Sequence, residues 1–296
     1  MLRFTVPFKA MGTRCQIQLA AESLNLAQAL ASPAIQAIHA LESEYSRYLP
    51  SSLLSRINHS AGLSTPVELT PEAQTLLAYA ASVYEQSDGL FDITSGVLRR
   101  TWNFKANSKS SILPTAQQLQ AVQQLMGWSK VGWNGEASIL LPRGFELDFG
   151  GFVKEYAADV ALLALKNAGV QEALVDLGGD VAVMGARWPI AIKNPLCPQE
   201  KIQSVVLEAG GLATSGNYER FFMHDGHRYS HILNPKTGWP VVTPASVTVV
   251  ADNCLLAGTV TTVAMLKGEQ DCLVWLESVG LPFCCVFNDG RVVSTF

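Results

Sequence analysis

The chain of 296 residues predicts an α+β fold, with mixed or antiparallel sheets and packed helices. Two observations set that class. Strand-like segments with period-two alternation come in hairpin-like pairs, mixed with helical stretches rather than alternating strictly with them. No strand runs through a Gly-x-Gly-x-x-Gly turn into a helix, so the dinucleotide-binding form of a doubly wound parallel sheet lacks its signature.

Each element has a local reason. Residues 4–8 and 14–20 alternate as strands on either side of Met11-Gly12-Thr13. Residues 24–48 place Leu, Ala and Ile at helical spacing, with Ala31-Ser32-Pro33 as a break or fresh start because proline removes a helical hydrogen bond. Thr70-Pro71-Glu72 opens a helix to about Ser87: the threonine caps, the proline takes the first turn and the acid suits the helix dipole. Asp88-Gly89 ends it. A polar, irregular stretch at 101–115 precedes a helix at 115–125, and strands are expected near 129–133 and 137–141. An Ala- and Leu-rich helix spans about 153–168 and stops at Gly169. Short strands follow at 173–176, 181–183, 187–194, 201–208, 221–224 and 246–251. Helices at 254–267 and 269–279 lead to a closing hairpin, 283–287 with 291–294, that turns at Asn288-Asp289-Gly290. With no fixed-period repeat or long linker, residues 1–296 read as a single domain, in one body or two intimately packed lobes.

Hydrophobic residues make up 48% and charged residues 16%, the balance of a folded globular chain. The net charge of −4 and the absence of any Lys/Arg run argue against a nucleic-acid partner. No stretch approaches the roughly 18 consecutive apolar residues of a membrane span. The opening residues, Met1 to Ala10, lack the apolar core of a secretory signal. Cys15, Cys197, Cys254, Cys272, Cys284 and Cys285 form no Cys-x-x-Cys pair, and several lie in apolar runs as free thiols do. A reducing, cytoplasmic setting is the expectation.

Chemistry concentrates in a few turns. His231 precedes a turn built from Asn234, Pro235, Thr237 and Gly238, where proline and glycine pre-set the backbone. Its imidazole serves either to anchor that turn or to carry a proton near neutral pH. Asp148-Phe149-Gly150-Gly151-Phe152-Val153-Lys154 sets an acid, two glycines and a lysine at the start of a helix, which is either a tight strand-to-helix turn or an anion site. Gly178-Gly179-Asp180 repeats that style and reads as a turn or bulge. Asp92 follows the Gly89 turn, and Ser215-Gly216-Asn217-Tyr218-Glu219-Arg220 surrounds a glycine with polar groups. His224 and His227 frame Asp225-Gly226 and read as exposed hairpin-tip histidines rather than a zinc pair.

Taken in order, these segments resemble the ApbE family of flavin transferases. Met11-Gly12-Thr13 is similar to the family's opening motif, and Ser46-Arg47-Tyr48 with Ser52, Ser55 and Asn58 to its next. Leu90-Phe91-Asp92-Ile93-Thr94 matches a Phe-Asp-Ile-Thr loop. Asp148 to Asp159 is close to Asp-Leu-Gly-Gly-x-Ala-Lys-Gly-Tyr-x-x-Asp. Gly178-Gly179-Asp180, Ser215 to Tyr218, and His231 to Gly238 complete the series, which covers nearly the whole chain. The resemblance implies an ApbE-like, T-fold-related architecture with an FAD cleft between two lobes. It also implies transfer of FMN from FAD to a threonine or serine hydroxyl of an acceptor protein, with magnesium bound and AMP released. Met11, Tyr48, Leu90, Phe91, Asp92, Asp148, Lys154 and Leu233 would line the FAD site, and His231 would be the base. Gly151, through its carbonyl, and Thr262 would be metal ligands.

Two positions depart from the family pattern. Gly258 stands where an aspartate ligand is usual, and Glu155 stands where a glycine usually follows the lysine. Loss of the aspartate is expected to weaken magnesium binding, with Asp252 or Asp148 as substitutes, and Gly258→Asp is expected to restore it. Glu155 adds negative charge near the phosphates. These departures leave room for an FAD-binding protein without transferase activity, and an FAD pyrophosphatase is the third reading.

Overall fold

The computed structural model describes residues 2–102, 104, 113–197, 199–218 and 220–296. Most of the polar stretch expected at 101–115, and Glu219, lie outside the described residues. In chain order, β1 (Leu2–Ala10) and β2 (Thr13–Ala21) are followed by α1 (Leu24–Tyr45), α2 (Leu53–His59), β3 (Val67–Glu68), α3 (Pro71–Gln86), α4 (Ala116–Gln123) and β4 (Ser138–Ile139). Next come α5 (Val153–Asn167), β5 (Ala173–Leu177), β6 (Asp180–Met184), β7 (Trp188–Lys193), β8 (Lys201–Leu207) and β9 (Gly210–Gly216). The chain closes through β10 (Phe221–His224), β11 (His227–Ser230), β12 (Ser246–Ala251), α6 (Cys254–Val279), β13 (Phe283–Val286) and β14 (Val292–Ser294).

Eight strands form one sheet in the order β1-β2-β5-β6-β9-β12-β13-β14. Every neighbouring pair is antiparallel, as the α+β class requires. β2 shows how side-chain alternation builds it: Cys15, Ile17, Leu19 and Ala21 are buried while the residues between them are not. Helices α1, α5 and α6 pack together and against the sheet over an apolar core that includes Ile17, Ile38, Phe149, Phe152 and Val249. The remaining strands pair in twos, β3 with β4, β7 with β8 and β10 with β11.

The cap expected at Thr70 is present, and a second, unpredicted one opens α4. Thr70 Oγ1 accepts from Ala73 N at 3.1 Å, and Thr115 with Gln118 closes a reciprocal capping box. The break expected at Pro33 is corrected, because α1 runs through it. Ala27, Ala31, Ala34, Ile38 and Leu41 keep one buried face in phase on both sides, and that packing outweighs the helix-interior penalty of about 3 kcal/mol. The strand expected at 129–133 is instead a 3₁₀ turn at Trp128–Lys130, and that at 137–141 shrinks to β4. Gly268, at φ 76° and ψ 178°, interrupts α6, so the two expected helices lie end to end. All six cysteines are free. Among the described residues, no helix is long and apolar enough to cross a membrane.

Candidate functional site

The site grows from two clamps on the chain around Asp148. After α1, the Ser52 hydroxyl donates to the Ser46 carbonyl at 2.7 Å while accepting from Ser55 N, and Ser55 Oγ reaches the same carbonyl at 3.4 Å. These bonds fix the backbone just before Arg47 and Tyr48. Asn58 forms the second clamp: its amide donates to the Leu147 carbonyl at 2.9 Å and its oxygen accepts from Leu147 N at 2.7 Å. The clamped segments then meet through an Arg47–Asp148 ion pair. Arg47 also donates to the Tyr48 hydroxyl at 2.8 Å, which holds that phenol below its ordinary pKa, with Arg220 and Arg99 adding positive charge. Tyr48 itself is 77% exposed.

The 90–94 loop joins the same centre. Asp148 N donates to the Ile93 carbonyl at 2.8 Å. Asp92 is buried and accepts from both Thr94 N and Thr94 Oγ1, so its carboxylate shapes its own loop, and burial pushes its pKa up. Phe91 is packed into the core 6.0 Å from the Phe152 ring, which leaves its backbone as the part available to a ligand. Leu90 is half-buried beside it. Asp92 lines a cavity of about 570 Å³ together with Tyr84, Asp88, Met126, Pro235 and Lys236, so this loop and the turn after His231 share one hollow.

Lys154 lies in the first turn of α5, where unpaired N–H groups favour anions. Its ammonium pairs with Asp180 and lies 3.4 Å from the Leu177 carbonyl. Asp180 is 4% exposed and also receives Thr214 N at 3.3 Å. The Gly178-Gly179 turn therefore exists to bring an anchoring carboxylate under the lysine. Gly178 has φ 73°, and a β-carbon there would come within 2.6 Å of Thr13 Oγ1, which packs the Met11-Gly12-Thr13 turn on this corner. Met11, at φ 51°, donates its N–H to Glu42 at 2.7 Å.

His231 directly follows β11. The turn after it is closed by Asn234 N to Trp239 O (2.8 Å), Gly238 N to Asn234 O (2.7 Å) and a bridge between Leu233 and Pro240. Leu233 packs on the Val97–Leu98–Trp102 cluster. His231 Nδ1 lies 3.1 Å from the Arg220 carbonyl, an atom that can only accept. As a hydrogen bond, this contact has Nδ1 as the donor.

A model of the ApbE family matches residues 11–285. The chain belongs to the ApbE family. The FAD:protein FMN transferase of Vibrio cholerae serotype O1 is 30% identical over 258 residues, 83% of this chain and 76% of that protein. The FAD:protein FMN transferase of Haemophilus influenzae is 29% identical over 268 residues, 86% of this chain and 77% of its own length. Among solved structures, the ApbE protein of Thermotoga maritima superposes with a TM-score of 0.88 at 27% identity, covering 99% of this chain and 97% of that one. The Pseudomonas stutzeri flavinyl transferase ApbE gives 0.87 at 26% identity, covering 99% and 95%.

Within this ApbE chain the two departures turn out to be neighbours. Gly258 faces Glu155 across the α5–α6 seam: a β-carbon at 258 would overlap Glu155 Cγ and sit 3.0 Å from its carboxyl carbon. The expected benefit of Gly258→Asp is therefore corrected, because the glutamate already fills that space. Glu155 is 9% exposed, and its Oε2 is buried with no hydrogen-bond partner among the described residues. Such an atom costs about 1–3 kcal/mol, and more when charged. Neither expected substitute is available, since Asp148 is held by Arg47 and Asp252 is exposed ahead of α6. Among the described residues, no three His, Cys, Asp or Glu side chains are grouped to hold a metal. The oxygens at this seam nevertheless suit a hard cation, which commonly takes one or two carboxylates and completes its shell with phosphates and water. Sequence reasoning registered Glu155 only as added charge, and it passed over Asp180 and the Arg220 carbonyl as anchors.

Proposed function

We propose that this chain transfers FMN from FAD to a threonine or serine hydroxyl of an acceptor protein and releases AMP. One observation carries the reading beyond family membership: the Arg220 carbonyl, 3.1 Å from His231 Nδ1, orients the imidazole at the head of the Asn234–Gly238 turn. A general base must present its lone pair to the hydroxyl it activates, and an orienting acceptor on the other ring nitrogen achieves that.

In the proposed reaction the acceptor hydroxyl oxygen attacks the phosphorus on the FMN side of the diphosphate. Its proton passes to His231 Nε2, the anhydride bond breaks, AMP departs with the bridging oxygen, and a phosphoester joins FMN to the acceptor. Such a transfer depends on in-line positioning and charge neutralisation more than on covalent help. Lys154, held by Asp180, sets a positive charge at the α5 N-terminus for the diphosphate. Met11, Tyr48, Leu90, Phe91, Asp92, Asp148 and Leu233 complete the FAD-lining set, supported by the convergence of the 47–48, 90–94 and 148 segments. A divalent cation, magnesium in this reading, supplies further neutralisation of the diphosphate when bound. Gly151 through its carbonyl and Thr262 through its hydroxyl would hold it. The free thiols support a reducing, cytoplasmic setting.

The binding-only alternative drew its force from the missing carboxylate at 258, and Glu155 in the same space offers a carboxylate in its place. The test is to incubate the full chain with FAD, magnesium and a threonine-bearing peptide, then measure peptide mass and AMP. An FMN increment with matching AMP is expected. AMP without the increment would mean hydrolysis, and bound FAD with no AMP would mean a carrier.

A further inference from the structure

Helices α5 and α6 run antiparallel in a register their contacts define. Asp159 accepts from Cys254 N at 2.8 Å and from Leu255 N at 2.9 Å. One turn back along α5 and one turn forward along α6, Glu155 meets Gly258. A further turn along α6 brings Thr262 onto the same face as Gly258, and Gly151 lies in the turn that enters α5. Three oxygen donors along this line are unused among the described residues. Among the described residues, the Gly151 carbonyl accepts no hydrogen bond, the half-buried Thr262 hydroxyl makes none, and Glu155 Oε2 is buried without a partner. The hydroxyls on either side of Thr262's face are already committed: Thr259 to the Leu255 carbonyl and Thr261 to the Gly258 carbonyl. The nearest cation, Lys154, is paired with Asp180 and stays 3.7 Å from Glu155 Oε1.

From this arrangement we propose that Glu155 is a ligand of a divalent cation, its carboxylate reaching the site from α5 through the space that glycine leaves at 258. Glu155 and Gly258 are thus one exchange, a carboxylate moved from one helix to its neighbour. Glutamate suits the new position because its extra methylene spans the seam, and glycine suits 258 because any β-carbon would exclude that stem. The proposal rests on the transferase reading only in identifying the cation as the one that accompanies the FAD diphosphate.

The test is Mn²⁺ binding to the full chain, alone and with FAD, followed by electron paramagnetic resonance. Glu155→Gln keeps the shape and removes the charge. It should weaken Mn²⁺ by at least about tenfold and abolish the Mn²⁺-induced rise in Tm. FAD affinity in chelator and the metal-free Tm should not fall. The exchange variant Glu155→Gly/Gly258→Asp should recover affinity to within about threefold of wild type, the carboxylate count being restored. Equal Mn²⁺ affinity in wild type and Glu155→Gln, or no Mn²⁺ bound by wild type, overturns the proposal. So does a folded exchange variant as weak as Glu155→Gln. Mn²⁺ binding lost with Glu155, in a wild type that forms no FMN-peptide, would instead sink only the transferase reading.

Discussion

Asp148 and Glu155 stand at the two ends of the turn that starts α5, and the protein treats them in opposite ways. Asp148 belongs to a region where the polar side chains have partners: Arg47 for Asp148, Asp180 for Lys154, the Arg220 carbonyl for His231. Glu155 belongs to a seam between two helices, buried, with Lys154 3.7 Å from one carboxylate oxygen and the other without a partner among the described residues. Loops can be held in an active shape by internal hydrogen bonds before any ligand arrives. Beyond the first turn of α6, whose free N–H groups Asp159 takes, a helix seam has no such spare donors, because the backbone has used its own. The difference teaches that the loop half is pre-organised while the seam half holds a carboxylate oxygen that its own surroundings leave unmet.

The largest effect should come from the loop half. His231→Ala is expected to lower transfer by about 10²–10⁴-fold while FAD affinity stays within a few-fold, checked by peptide flavinylation and fluorescence quenching. A normal rate would return this histidine to a turn-holding role. Gly258→Asp alone should cost about 1–3 kcal/mol from overpacking against Glu155, seen as a lowered urea midpoint. An unchanged midpoint would show that Glu155 swings aside. Asp180→Asn should cost about 1–2 kcal/mol by leaving Lys154 without its charged partner, read in the same titration, and it should weaken FAD binding as well. No change in either would detach Lys154 from the diphosphate.

The smallest effect sharpens the seam. Burial pushes the Asp159 carboxyl above its usual pKa; two backbone N–H bonds oppose this and the Glu155 charge adds to it. A carboxyl raised in the folded state binds its proton more tightly there than in the unfolded chain. Its contribution to stability is therefore complete below the unfolded value, about 3.9, and is lost as pH rises through the folded value. Glu155→Gln removes one raising influence, so its stability should decline less than that of wild type over this rise, measured by urea midpoints from acid to neutral pH. Parallel curves would place Glu155 too far from Asp159 to matter.

Much of the frame is legible from local chemistry. The β1–β2 alternation, the Thr70-Pro71-Glu72 start, the helix near 115–125 and the closing hairpin are short-range signals that the structure keeps. β9 was not anticipated: Gly210-Gly211-Leu212-Ala213-Thr214-Ser215-Gly216 has little strand propensity and is a strand because β6 and β12 flank it. The seven-residue α2 is too short to show periodicity, and a Ser52 cap alone did not reveal it. The loop motifs could be read because each is contiguous. The pairing of Glu155 with Gly258 could not, since each residue alone is only a departure and the contact joins two helices distant in sequence. Arg220 likewise acts through its backbone, which side-chain identity does not announce.

Coupling between flavin and metal tests most directly whether loops and seam are one site. FAD affinity, measured by flavin fluorescence with and without Mg²⁺, should tighten by at least about tenfold in wild type, and by linkage Mg²⁺ affinity should rise by the same factor. In Glu155→Gln the two affinities should become nearly independent. FAD binding by wild type that is indifferent to Mg²⁺ would contradict a shared site.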